Sequence, residues 1–167
     1  MEKNWERIVF LDIDGTITGK YGEINPECIK KLNRLKEFGT KIVVSSSWGY
    51  DEGRTEQKLK EKGLELPIVG YTQHFYQEWL CRGNEIEKWI HENFGGMGTR
   101  WGEDYDGEPY YRKHFHEEDV DYEYVIFDDS GDMLLGQKDN FIQINEFIGI
   151  TDEDIDKAIK ILNRENI

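Results

Sequence analysis

An α/β fold built on a mainly parallel five-stranded sheet is predicted by three features of the chain. Short apolar runs are rich in β-branched residues, helical periodicity fills the stretches between them, and the runs end in acids or serines. Strands that alternate with helices connect through right-handed crossovers, which lay helices on both faces of the sheet and give three layers, α/β/α.

The first run, Ile8-Val9-Phe10-Leu11, is continuous and apolar, as a strand buried on both faces requires, and it ends at Asp12. Asn25-Pro26 then supplies an N-cap and a first-turn proline, after which Ile29, Leu32 and Leu35 recur at helical spacing until Gly39 closes the segment. Ile42-Val43-Val44 is a second buried strand running into Ser45-Ser46-Ser47, and the polar stretch 52–62 predicts a weaker, exposed helix. Pro67-Ile68-Val69-Gly70 reads as a third strand, and Ile86, Trp89 and Ile90 share one face of a helix over about 84–94. Tyr124-Val125-Ile126-Phe127 is the fourth strand and ends in Asp128-Asp129; Phe141-Ile142-Gln143-Ile144 is the fifth. Thr151 with Asp154 caps a last helix that carries Ile155, Ala158, Ile159 and Leu162.

Residues 95–123 break this alternation with a glycine-rich start, six aromatic rings, and nine acids against three bases. The segment is too long for an ordinary connection, so it is either functional or an embellishment of its own. Placed between the third crossover helix and the fourth strand, it would begin on the face opposite the strand carboxyl ends, which favours a protein contact or a structural role unless it wraps around; a lid that selects substrate is the alternative. No internal repeat or linker divides residues 1–167, which read as one domain.

The formal charge of −14, from 35 acids and 21 bases, repels polyanions at long range and disfavours a large nucleic-acid footprint. No apolar stretch approaches the roughly eighteen residues of a membrane span, and the polar start MEKNWER lacks a signal-peptide core, so a cytoplasmic protein is expected. Cys28 and Cys81 stand far apart without a CxxC or Cys/His spacing, which predicts reduced thiols rather than a disulfide framework or a zinc site.

In open parallel sheets ligands bind beyond the carboxyl ends of the strands, and those ends carry Asp12, Ser45 and Asp128-Asp129. Asp12 and Asp14, spaced Asp-x-Asp and followed by Gly15-Thr16, put one acid at the strand mouth and the next in the turn. One carboxylate can attack phosphorus to form an acyl-phosphate while the other protonates the leaving oxygen and later deprotonates water. The clustered acids also suit a hard divalent cation, and magnesium is the implied cofactor. A hydroxyl and backbone amides near Ser45 can hold a phosphoryl oxygen, with Arg82 as a fixed cation to offset charge.

VFLDIDGT at 9–16 resembles the first motif of the haloacid dehalogenase (HAD) superfamily, a hydrophobic strand followed by DxDGT. KIVVS at 41–45 resembles its second motif and YVIFDDSGD at 124–132 its fourth, in matching order over nearly the whole chain. The resemblance implies a Rossmann-like fold with Asp12 as nucleophile. It makes Asp14 the acid/base, which also lends its backbone carbonyl to the metal. Asp129 would be a direct metal ligand, Asp128 one acting through water, and Ser45 the phosphoryl-binding residue. Ser46 and Thr16 join Ser45 and Arg82 as phosphate-binding candidates. An acid at position 14 is the pattern of phosphatases and phosphotransferases in that superfamily.

The third HAD motif is commonly a lysine, and here Arg82 stands before the helix in RGNEIEKWI. Together with SSSW at 45–48 this resembles the small HAD domains of the "Swiss Army knife" RNA-repair set, although Gly49 stands where that branch tends to have arginine. Ser46 or Ser47 can replace Ser45 if the strand ends a residue later, and Lys88 competes with Arg82. Trp48 is a candidate for stacking on a base, with packing beside the sheet as the plainer reading. His114 and His116 read as exposed histidines rather than zinc ligands.

About nine residues separate Thr16 from the first helix, and a helix and a strand account for those between Ser45 and Arg82, so the scaffold is essentially capless. Within the superfamily such an open site suits a polynucleotide end or a phosphoprotein, and small nucleotides also fit. The leading expectation is therefore a magnesium-dependent phosphomonoesterase acting through an aspartyl-phosphate on a nucleotide or nucleic-acid end. Its rivals are a phosphotransferase that uses the same residues and a non-catalytic adaptor that binds through 95–123.

Overall fold

Five strands form one sheet: β1 (Glu6–Leu11), β2 (Lys41–Val44), β3 (Ile68–Tyr71), β4 (Tyr122–Asp128) and β5 (Phe141–Gln143). Their order is β3-β2-β1-β4-β5, and every neighbouring pair is parallel. The computed structural model describes residues 6–18, 22–74, 81–94 and 122–164. The chain steps outward from β1 through β2 to β3, then crosses back past β1 to lay down β4 and β5. The reversal lies between β1 and β4, which is where open α/β sheets bind their ligands.

Pleat alternation sends the apolar side chains of the central strands into two separate cores. Val9, Leu11, Val44 and Phe127 meet α1 (Pro26–Leu32), α2 (Glu52–Glu61) and α4 (Asp152–Leu162) on one face. On the other, Ile8, Phe10, Val43 and Ile126 meet Ile86, Ile90 and Phe94 of α3 (Arg82–Phe94), whose four-residue spacing makes one apolar stripe. Phe10 is fully buried there, with the rings of Trp89 and Tyr124 edge-on at 5.5 and 5.8 Å. Truncating a side chain so enclosed to alanine costs about 3–5 kcal/mol.

The caps expected from the sequence form. Asn25 accepts a hydrogen bond from the Glu27 amide ahead of the first-turn Pro26, and Thr151 and Asp154 bond reciprocally at the start of α4. The helix predicted to run to Gly39 is α-helical to Leu32 and then tightens to a 3-10 helix over Asn33–Phe38, ending at Gly39 with φ 67°. At the tightening, Asn33 turns its side-chain amide to Gly63 and Glu65. In α2 only Thr55 and Leu59 are buried, as the polar sequence of that helix predicts.

β1 and β4 both start earlier than their apolar runs. Glu6 pairs with Tyr122 and Arg7 with Glu123, so the last two residues assigned to the 95–123 insertion are strand. Polar and half-buried residues carry these positions, and the register of the ladder defines them where hydrophobicity does not. Residues 95–121 of that insertion, with His114 and His116, lie outside the described residues. Between β1 and α1, Thr18 and Ile24 form an isolated antiparallel bridge. Among the described residues no helix is long and apolar enough to cross a membrane.

Candidate active site

The sheet ladder continues one residue past each strand and sets the site. Asp12 N donates to Phe127 O at 2.9 Å, Ser45 N to Leu11 O at 2.8 Å and Thr72 N to Val44 O at 2.9 Å. Thr72, Ser45, Asp12 and Asp128 therefore stand side by side across four strand ends. By the strand alternation Asp12 and Asp128 follow Phe10 and Ile126 onto the α3 face, where Arg82 begins that helix.

Asp12, Asp128 and Asp129 each bring a carboxylate oxygen into one group whose members lie within 4.8 Å of one another. Gly15 makes this possible. It sits at φ 74°, and a Cβ there would overlap the Asp129 carboxylate. The glycine of the DxDGT turn thus lets the end of β4 lean over the end of β1. Ser130 N donates to Asp128 Oδ1 at 2.9 Å, but Asp128 Oδ2 is buried without a hydrogen-bond partner.

Like charges gathered out of water resist ionisation. Burial, more than any neighbour, pushes the Asp12 carboxyl up to about 6, against the lowering pull of Arg82, the Ile13 amide and the Ser46 hydroxyl. Burial and then Asp12 itself push Asp128 up to about 7. An oxygen-rich, anionic, partly orphaned pocket of this kind fits a hard divalent cation, which would supply the missing partner of Asp128 Oδ2.

Arg82 is the cation of the pocket. Its Nη2 lies 3.8 Å from Asp12 Oδ1, its Nε 3.6 Å from Asp128 Oδ2 and its Nη1 3.4 Å from Glu85 Oε2. The first turn of α3 is pinned so that it stays there. Arg82 N donates to Asp132 Oδ2 at 3.1 Å, Gln137 Nε2 donates to Gly83 O at 2.9 Å, and a Cβ on Gly83 would meet Leu134 N at 2.5 Å. Lys88, the competing candidate, instead bonds Gln73 and pairs with Glu92.

Ser45 and Ser46 are both buried at the pocket, with Ser45 Oγ accepting from Thr72 Oγ1 at 3.3 Å, whereas Ser47 is exposed. Thr16 lies against Asp12. It is as buried as Ser45 and Ser46, and its hydroxyl donates to Asp12 Oδ2 at 3.4 Å, so it supports the carboxylate. Trp48 packs against the core as expected, yet its Nε1 also donates to both oxygens of Asp14 at 3.0 Å, and Lys58 Nζ lies 4.7 Å over its ring. Asp14 itself is exposed at the mouth of the site.

Three neighbours were not singled out from the sequence: Thr72, His74 and Glu85. Glu85 carried a signal, an acid three residues after Arg82 at a helix start. Thr72 was findable as a hydroxyl just past the third strand. His74 had none.

The family model for the HAD domain in Swiss Army Knife RNA repair proteins matches residues 8–102, more than half of the chain. The chain belongs to this HAD family. No curated protein and no solved structure matches it. Membership makes it a HAD domain of the hydrolase and phosphatase type, a family that generally uses magnesium, and the Asp12, Asp128 and Asp129 cluster is able to take such an ion. The match spans the candidates Asp12, Asp14, Ser45 and Arg82; Asp128 and Asp129 lie beyond it and are brought to Asp12 by the pairing of β4 with β1.

Proposed function

We propose that this chain works as a single-domain, magnesium-dependent phosphomonoesterase with an aspartyl-phosphate on Asp12. One observation carries the reading: three carboxylates and one arginine converge where the strand order reverses, beside two buried serines. Asp12, Asp128 and Asp129 would hold the ion together with the Asp14 backbone carbonyl. When bound, magnesium supplies charge neutralisation for the acids and the transferring phosphoryl group.

An Asp12 oxygen attacks phosphorus, forming the Asp12 O–P bond as the bond from phosphorus to the ester oxygen breaks. Asp14 gives its proton to the leaving oxygen. Asp14 then takes a proton from water, the water oxygen bonds phosphorus, and the Asp12 O–P bond breaks, releasing inorganic phosphate. Ser45, Ser46 and Arg82 orient the phosphoryl oxygens throughout. Trp48 holds the Asp14 carboxylate at the mouth, within reach of a leaving group that approaches from solvent.

Nucleotides and nucleic-acid ends are the substrate class. The family's description in terms of RNA repair supports ends, and Asp14 is exposed to solvent among the described residues, whereas the net charge of −14 disfavours a long polyanion bound along the surface. The test is hydrolysis of an aryl phosphate by wild type and Asp12→Asn, with and without magnesium. Loss of at least about a thousandfold in the variant is expected. Equal rates in the two proteins refute the assignment, and transfer of phosphate to an added alcohol in preference to water makes the chain a phosphotransferase.

A further inference from the structure

His74 and Glu85 take no part in the steps above, yet both are largely shielded from water beside them. His74 Nε2 is 2.5 Å from the Ser46 carbonyl oxygen, and Nδ1 is 3.3 Å from Glu85 Oε1. A carbonyl oxygen accepts and never donates, and the same holds for an ionised carboxylate. Both ring nitrogens therefore donate, which only the imidazolium can do. Glu85 turns its second oxygen to Arg82 Nη1 at 3.4 Å, so a buried anion has a cation on each side, the condition under which burial of charge is tolerated.

The contacts form one chain: the Ser46 carbonyl, His74, Glu85, Arg82, and then Asp12 and Asp128. We propose that His74, as the imidazolium, is a positioning residue that ties the phosphate-binding segment after β2 to the start of α3 and thereby sets Arg82 against the phosphoryl group. A trans peptide directs its N–H opposite to its C=O, so holding the Ser46 carbonyl also fixes where the Ser47 amide points. The proposal rests on the phosphatase reading of the site. It goes further in making phosphate affinity depend on a group that touches neither phosphate nor metal.

Among the described residues the charged groups bearing on His74 are Glu85 and Arg82, both from α3. The bond to Glu85 favours the charged ring most, the Ser46 carbonyl from the segment after β2 adds to it, and burial and Arg82 oppose it. The balance raises the ring above its ordinary 6.5. Phosphate binding then weakens as pH rises through the titration of His74.

The test uses full-length wild type, His74→Gln and Glu85→Gln with magnesium. Each is followed by imidazole nitrogen NMR, aryl phosphate kinetics and calorimetric binding of inorganic phosphate across the alkaline range. The resonance lost in His74→Gln identifies the ring; it is expected to titrate above 6.5 in wild type and lower in Glu85→Gln. His74→Gln is expected to raise KM and the phosphate dissociation constant by about tenfold, change kcat far less, and remove the alkaline weakening. An ordinary titration of His74, or a fall in kcat at constant KM, overturns the proposal. The two readings separate cleanly: a wild type that hydrolyses no phosphoester while His74 titrates high and phosphate binding follows it fails the phosphatase reading alone. If His74→Gln does not fold, the nearly isosteric Glu85→Gln carries the same comparison.

Discussion

The Asp129 carboxylate fills the volume that a side chain on Gly15 would need, and Gly15 is held at φ 74°. The turn after β1 and the end of β4 are thus fitted to each other. Gly15→Ala is expected to displace Asp129 and to lower stability by about 1–3 kcal/mol from the left-handed backbone alone. It is also expected to abolish most of the magnesium-induced rise in melting temperature. Thermal melts with and without magnesium check this, and a wild-type metal response would remove Asp129 from the ligand set.

Asp12 and Asp128 give metal binding a pH dependence of definite sign. Their folded values of about 6 and about 7 lie above the ordinary 3.8, so the folded protein holds protons that the unfolded chain has released. Without metal, their contribution to stability is complete below about pH 4 and is lost as pH rises through 6 to 7. A divalent ion competes with those protons. Magnesium is therefore expected to raise the melting temperature little in mild acid and fully above neutrality. Asp128→Asn is expected to raise the metal-free melting temperature at alkaline pH and to remove most of the metal response, which scanning fluorimetry measures directly.

Arg82→Lys keeps the charge but loses the planar fork that faces Asp12, Asp128 and Glu85 from three different nitrogens. A fall in kcat/KM of about tenfold or more is expected, with a larger fall for Arg82→Ala. Steady-state kinetics on an aryl phosphate check both, and full activity in Arg82→Ala would take the residue out of the site.

Trp48→Phe keeps a smaller aromatic ring against the core and removes the N–H given to Asp14. A drop in kcat of about threefold to tenfold with KM little changed is expected if Asp14 is the acid/base proposed above, because the lost bond of roughly 1 kcal/mol orients that carboxylate rather than the phosphoryl group. An increase in KM instead would indicate that the ring contacts the substrate.

The order of elements and the acidic strand ends were legible because burial on both faces of a parallel sheet writes continuous apolar runs, and chemistry ends them. Asp12 after Leu11 and Asp128 after Phe127 are such endings. The early starts of β1 and β4 were not legible, since Glu6, Arg7, Tyr122 and Glu123 are placed by hydrogen bonding across the ladder. That the Thr16 hydroxyl turns to Asp12 is likewise not written in the spacing. Nor can sequence spacing reveal that Trp48 reaches Asp14, 34 residues away, or that His74 lies between Ser46 and Glu85. Those are contacts between elements, written in the geometry of packing.

The strand order divides the site between the centre and the rim of the sheet. The acids able to take a metal stand at the ends of β1 and β4, each flanked by a strand on both sides, whereas Thr72 and His74 follow β3, which among the described residues has a neighbour on one side only. Edge strands fray at lower free energy than central ones. On warming, the protein is therefore expected to loosen the His74 tie that sets Arg82 before its acidic cluster comes apart, and on cooling to gather the acids first and re-form that tie last.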